Sequence, residues 1–252
     1  MKEGCIFGTH RVLEPVGTLP QAAWKLDNDM EIYDNELLIE VDTLNIDSAS
    51  FTQIKKEANH DVAAMEKIIL GIVAQRGKHH NPVTGSGGML IGKVAAIGPK
   101  WSGKTPIKVG DCIATLVSLA LTPLKIHKIK EIYMEKEQVA VDAEAVLFSS
   151  GIYSVLPKDM APKLALSILD VAGAPAQTAN LVRPGQSVLV IGGGGKAGML
   201  CVYEAKRRGH GNRLDYGGKR RRNGLFLQYG NKLYECGVRC GRDRQGCKFA
   251  NW

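Results

Sequence analysis

One stretch constrains the fold of this chain more than any other. Pro184-Gly185-Gln186-Ser187-Val188-Leu189-Val190-Ile191 runs directly into Gly192-Gly193-Gly194-Gly195-Lys196-Ala197-Gly198. The aliphatic run Val188 to Ile191, rich in β-branched residues, predicts a buried parallel strand entered through a Pro-Gly turn. From Met199 to Arg207 the residues are good helix formers with no breaker. Strand, glycine turn and helix in that order are the setting in which a glycine fingerprint binds a dinucleotide. A missing Cβ lets the backbone approach a pyrophosphate, and the helix start offers it unpaired N–H groups and a positive dipole end.

The fingerprint has more than one register. Gly193-x-Gly195-x-x-Gly198 fits one form, Gly192-x-Gly194-x-x-Ala197 fits another, and Gly192, Gly195 and Gly198 are evenly spaced. The whole run from Gly192 to Gly198, Lys196 and Ala197 included, is assigned to cofactor binding. The bland alternative is a glycine-rich turn that binds nothing.

A chain of 252 residues has ample length for a core. Met1 to His10 has no continuous apolar stretch, so no signal peptide is expected, and no run is long enough to span a membrane. Six scattered cysteines do not make a disulfide scaffold, and a reducing cytoplasm follows as the expected compartment. The net charge of +8 is misleading as a global property, because residues 207–252 hold 12 Lys/Arg against 3 Asp/Glu. The rest of the chain is nearly neutral.

In chain order, Glu36 to Leu44 predicts a strand, Asn45 to Phe51 a polar corner, and Thr52 to Gln75 one helix with Met65, Ile68, Ile69 and Val73 on a face. Arg76 to Gly85 is a loop dense in polar groups. Strands are expected at Leu90–Ile97 and Cys112–Val117, then a strand pair and a polar helix up to Pro157. Lys163 to Ala174 is helical, with Ala176 to Leu181 continuing it. The expected organisation is α/β: a β-rich domain over 1–155, the start of a doubly wound parallel sheet over 156–206, and an irregular basic tail over 207–252.

A β-rich first domain closed by "IKVGD" and followed by "VLPKDMAPKLALSILDVAGAPAQTANLVRPGQSVLVIGGGGKAG" resembles the medium-chain dehydrogenase/reductase superfamily. That resemblance implies a GroES-like substrate domain joined to a Rossmann domain, with the active site in the cleft between them. More narrowly, "GTHRVLEP", "TLNIDSASFTQIKKEA", "RGKHHNPVTGSGGMLIG" and "SLALTPLKI" are similar to the L-erythro-3,5-diaminohexanoate dehydrogenases. It implies oxidative deamination of a diamino acid to 5-amino-3-oxohexanoate in lysine fermentation, with NAD or NADP, in a cytoplasmic homo-oligomer.

Many members of the superfamily hold a catalytic zinc. At the corresponding positions this chain has Asp47, then Gly87-Gly88-Met89, then Val171, and the lobe of four cysteines has no counterpart. Glycine, methionine and valine cannot supply the nitrogen and sulfur ligands of a tetrahedral zinc, so an enzyme without zinc is expected. A zinc held by Asp47 with His79 and His80 is the minority alternative, since adjacent histidines usually point apart.

Oxidative deamination needs a neutral amine and a base whose pKa lies near the working pH, which suits imidazole. The resemblance places Asp47 to Phe51 and Thr84 to Met89 along the cleft, facing Leu116 to Thr122. Asp47 is assigned to a substrate ammonium, His79 or His80 to the base, and Ser50, Thr84 and Ser86 to the carboxylate or a water. The competing structural readings are a turn at Asp47-Ser48 and solvated loop histidines.

The alternatives are a zinc-independent, quinone-oxidoreductase-like reductase using NADPH and, ranked last, nucleic-acid binding by the tail. The tail offers Lys219-Arg220-Arg221-Arg222 beside Tyr216, Phe226 and Tyr229. Its Cys236-x3-Cys240-x6-Cys247 spacing matches no trusted metal pattern. A Rossmann domain needs several further strands after the glycine turn, on the order of 100 residues. The tail has glycine 9 times and lacks a Val/Ile-rich strand. The sequence reading is therefore a C-terminally truncated enzyme with a frameshift near residues 207–211, a genuine basic extension being the alternative.

Overall fold

The computed structural model describes residues 1–186 and 188–208, together with four short strands beyond them. It divides into two compact units, Met1–Leu166 and Ser167–Trp252.

The first unit opens with a short 3-10 helix (Thr9–Arg11) and two small strands, β1 (Val12–Glu14) and β2 (Lys25–Leu26), paired antiparallel. β3 (Glu36–Ile46) follows, then helices α1 (Ser48–Glu57) and α2 (Val62–Arg76). β4 (Gly88–Ile97), β5 (Cys112–Thr115), β6 (Leu124–Tyr133), β7 (Gln138–Phe148) and β8 (Tyr153–Val155) complete it. Six of these strands form one antiparallel sheet in the order β6-β7-β3-β4-β5-β8.

β3 is central because it carries Leu37, Ile39, Val41, Leu44 and Ile46, all buried, and pairs β4 on one side and β7 on the other. Phe51 and Ile54 of α1 and Met65, Ile69 and Val73 of α2 belong to the same core cluster. Each such side chain contributes roughly 1.5–3 kcal/mol when fully buried. At the head of β3, Glu36 is buried in a charged network. Its Oε1 accepts from Arg11 Nε at 2.8 Å and bonds His10 Nε2 at 2.7 Å, while Oε2 accepts from Arg11 Nη2 at 2.6 Å and Tyr33 N at 2.9 Å. Burial alone would raise this carboxyl, but the bonds from Arg11 and His10 hold it at about 2.

Several local expectations change. The polar corner at 45–51 is the end of β3 joined to α1 by one residue, Asp47, whose side chain caps Ala49 N. The single helix over 52–75 is two helices, because Asn59 and His60 adopt φ of 50° and 65° and Asp61 then caps α2. Helical geometry cannot continue through left-handed residues. The polar helix expected before Pro157 is absent: residues 124–148 form the β6–β7 hairpin, and only Leu119–Leu121 is helical, as a 3-10 turn.

α3 (Pro162–Leu169), which runs across the division at Leu166, and α4 (Gly173–Leu181) of the second unit replace one continuous helix. Pro175 has no N–H and its ring excludes the carbonyl four residues before it, so it fits only the first turn of α4. β9 (Val188–Ile191) and α5 (Lys196–Arg207) occupy the expected positions, but β9 is only partly buried, with Val188 and Val190 inside and Ile191 exposed. β10 (Leu214–Gly217) pairs parallel with β9, while β11 (Leu227–Tyr229) pairs β12 (Lys232–Tyr234) and β13 (Gly237–Cys240) pairs β9 antiparallel. Four short strands thus occupy part of the tail expected to be irregular. An open strand edge needs partners for its N–H and C=O groups, and β10 and β13 supply them to β9. The basic run at 219–222, the side chains of Tyr216, Phe226 and Tyr229, and the thiols of Cys236, Cys240 and Cys247 lie outside the described residues.

Candidate functional site

The amino terminus of α1 and the loop between α2 and β4 bring four of the expected residues together. Ser50 Oγ lies 2.6 Å from Thr84 Oγ1 and 2.6 Å from Ser86 Oγ, and Thr84 Oγ1 lies 3.1 Å from Ser86 Oγ. Ser86 Oγ donates to Asp47 Oδ1 at 3.2 Å, the oxygen that also accepts Ala49 N at 3.0 Å. Ser50 is buried, whereas Asp47, Thr84 and Ser86 are half-buried, so the cluster has a sealed back and an open mouth.

Asn81, which the sequence did not single out, shapes this loop. It is fully buried, and its Oδ1 accepts from Val83 N at 2.8 Å and Thr84 N at 3.3 Å. Its Nδ2 donates to Gln53 Oε1 at 2.8 Å, so α1 and the loop are tied twice, at Ser50 and one turn later at Gln53. The Asn-Pro dipeptide was the available signal, since Asn before Pro favours such a turn. On the other flank, a Cβ at Gly87 would lie 2.5 Å from Ala120 N and 2.8 Å from Ser118 Oγ. This close approach sets the loop against the segment 116–122.

The two histidines part company. His79 is fully buried, neither ring nitrogen has a hydrogen-bond partner among the described residues, and burial lowers it to about 4. His80 is half-buried and is also lowered, first by burial and then by the charges of Arg76 and Lys78. Imidazole at position 80 is therefore held toward its neutral, proton-accepting form.

Lys78 went unnoticed in the sequence. It is fully buried, and its Nζ donates to the carbonyls of Pro20 at 2.7 Å and Gln21 at 3.4 Å, with no carboxylate partner among the described residues. Burial, and then the charge of Arg76, lower it to about 8. Arg76 itself lies 4.2 Å over the Trp24 ring and donates to the carbonyls of Trp24 and His80. Pro20 and Gln21 form one wall of a largely apolar cavity of about 320 Å³ whose other walls include Val117, Thr122 and Phe148.

In the second unit, the glycine run forms the turn between β9 and α5. Gly192 has φ of 84°, and a Cβ on Gly198 would lie 2.2 Å from Gly193 Cα and 2.3 Å from Gly192 O. Gly195 is the N-cap of α5 with no side-chain cap. The turn thus uses Gly192 for its handedness, Gly195 for an open helix start and Gly198 for close packing of helix on turn. Lys196 reaches Asp170 at 3.9 Å. Among the described residues no three His, Cys, Asp or Glu side chains converge as a metal site, and no helix is long and apolar enough to cross a membrane.

Residues 10–157 match the family described as L-erythro-3,5-diaminohexanoate dehydrogenase N-terminal domain. A protein of that name from Fusobacterium nucleatum subsp. nucleatum is 63% identical over 208 residues, covering 82% of this chain and 60% of the relative. Another from Acetoanaerobium sticklandii is 60% identical over 206 residues, with the same two coverages. The chain therefore spans about 60% of the length of these curated relatives. Solved structures that the chain matches include a quinone oxidoreductase from Coxiella burnetii, 16% identical with a TM-score of 0.43 over 79% of this chain and 52% of that one. CurK enoyl reductase is likewise 16% identical, with a TM-score of 0.43 over 86% of this chain and 51% of the other.

Proposed function

The chain belongs to the L-erythro-3,5-diaminohexanoate dehydrogenase family, and from that premise we propose that it supplies the substrate-binding and nucleotide-binding elements of an oxidative deaminase. The reaction is conversion of L-erythro-3,5-diaminohexanoate to 5-amino-3-oxohexanoate. The observation that carries this reading is the meeting of Asp47, Ser50, Thr84 and Ser86 in one half-buried cluster. A carboxylate backed by ordered hydroxyls suits a polar, cationic substrate better than an apolar enone.

In this reading Asp47 pairs with a substrate ammonium, and Ser50, Thr84 and Ser86 complete the polar wall. Of the two histidines assigned to base chemistry, His80 takes the role, because it is neutral and has solvent access while His79 is sealed. It accepts the proton that makes the amine neutral and later takes one from the water that adds to the carbon.

The glycine turn fits a nicotinamide dinucleotide, NAD or NADP. Gly192 and Gly195 leave backbone that no side chain covers, Gly198 lets α5 pack close on the turn, and the uncapped start of α5 presents its N–H groups to a pyrophosphate. When bound, that cofactor supplies the hydride acceptor. The proposal includes no zinc, for Gly87, Gly88 and Met89 stand where a histidine ligand would be needed, and a side chain at Gly88 would meet Asn45 O at 2.0 Å. Lysine fermentation as the pathway, a cytoplasmic setting and assembly into a homo-oligomer are carried by the family resemblance alone.

The test uses a hybrid in which the matched residues of this chain are completed with the part of the Fusobacterium nucleatum relative that the chain does not span. It should reduce nicotinamide with the diamino acid and leave quinones untouched. His80→Gln should lower kcat at least tenfold. Turnover of quinones without turnover of the diamino acid would reverse the assignment.

A further inference from the structure

The hydroxyl cluster has a direction, and that direction selects what it binds. Ser86 Oγ faces the only charged acceptor in the group, so its proton goes to Asp47 Oδ1. Ser50 makes two contacts of 2.6 Å, one to Ser86 Oγ and one to Thr84 Oγ1, and each needs a proton. Since the proton of Ser86 is spent on Asp47, Ser50 donates to Ser86 and Thr84 donates to Ser50. Three hydroxyls have three protons, and all three are consumed inside the chain Thr84, Ser50, Ser86, Asp47. The contact of 3.1 Å between Thr84 and Ser86 has no proton left.

Among the side chains of this cluster, what remains at the half-buried mouth is acceptor capacity only. Thr84 Oγ1 keeps an open lone pair, since among the described residues its one donor is Ser86 N, distant at 3.5 Å. Asp47 Oδ2 has no donor among the described residues, because both protein bonds to this carboxylate fall on Oδ1. At the α1 amino terminus Asp47 caps Ala49 N, and its own carboxylate already occupies that end of the helix, so an incoming carboxylate would meet like charge there. We infer that this mouth is an ammonium site in which Thr84 Oγ1 and Asp47 Oδ2 accept N–H bonds from one substrate nitrogen, and that it rejects a carboxylate. Thr84 is then a specificity-determining residue, and the substrate carboxylate is recognised elsewhere. The inference rests on the substrate class proposed above and sharpens it.

The experiment is an NMR titration of the full chain, read at the amides of Ala49 and Gly85, with two probes. The first is 2,4-diaminopentane, which keeps the spacing of the two amines without a carboxylate, and the second is hexanoate. The diamine is expected to shift both amides and hexanoate to leave them still. Thr84→Val should weaken the diamine at least fivefold, and Thr84→Ser should restore it, which a purely structural role of the β-carbon would not produce. Shifts from hexanoate, or diamine binding that is absent or equal in the parent and Thr84→Val, would overturn the assignment. Because no turnover is involved, such a failure is separate from failure of the deaminase reading, which the hybrid assay decides.

Discussion

Replacing Lys78 by methionine isolates the energetics of a buried charge that has no carboxylate partner among the described residues. The ammonium sits at about 8 instead of the ordinary 10.5. At 1.36 kcal/mol per unit, that difference costs the folded protein about 3 kcal/mol at pH 7. The folded value is the lower one, so between about pH 8 and 10.5 the unfolded chain holds more protons and stability rises with pH. By pH 10 the cost falls to about 1 kcal/mol. Lys78→Met removes this cost but leaves the Pro20 and Gln21 carbonyls without their donor, a loss of about 1–2 kcal/mol. The variant should be more stable than the parent by about 1 kcal/mol at pH 7, and the order should reverse near pH 10. Urea unfolding followed by tryptophan fluorescence at both pH values measures it. Parallel stability profiles for the two proteins would show that the ammonium is solvated in the folded state, and the reasoning would fail.

Two further outcomes follow from the geometry. Gly198→Ala forces a Cβ into Gly193 Cα and Gly192 O, whereas at Gly195 a Cβ meets only Gly192 O at 3.5 Å; calorimetry on the hybrid should show dinucleotide affinity falling at least tenfold for the first and much less for Gly195→Ala. Glu36→Gln leaves Arg11 buried with half its compensation gone, and denaturation should register a loss of about 3–5 kcal/mol. In the parent, Glu36 is depressed to about 2, so its contribution is present above about pH 4.5 and is lost as pH falls toward 2, a dependence the variant should lack.

The central strand, the strand–turn–helix at the glycine run and the meeting of Asp47 with Ser50, Thr84 and Ser86 were legible because local pattern or family resemblance bears on each. Apolar periodicity marks β3, and the family motif places the loop beside α1. The orientation of single side chains was not legible. Nothing in Arg76-Gly77-Lys78-His79-His80 says that Lys78 and His79 turn inward, since that depends on the Pro20–Gln21 turn, distant in sequence and adjacent in space. The break between α1 and α2 was missed because Asn59 and His60 fit a helical window in composition and leave it only in backbone angle. The direction of the hydroxyl chain follows from the contacts together with the charge of Asp47, and no spacing of Ser and Thr encodes it.

The measurement closest to the central claim is the stoichiometry of the hybrid on L-erythro-3,5-diaminohexanoate. The account predicts one ammonia released for each nicotinamide reduced, with both rates lost together in Asp47→Asn. Nicotinamide reduction without ammonia, or full activity in Asp47→Asn, would contradict it.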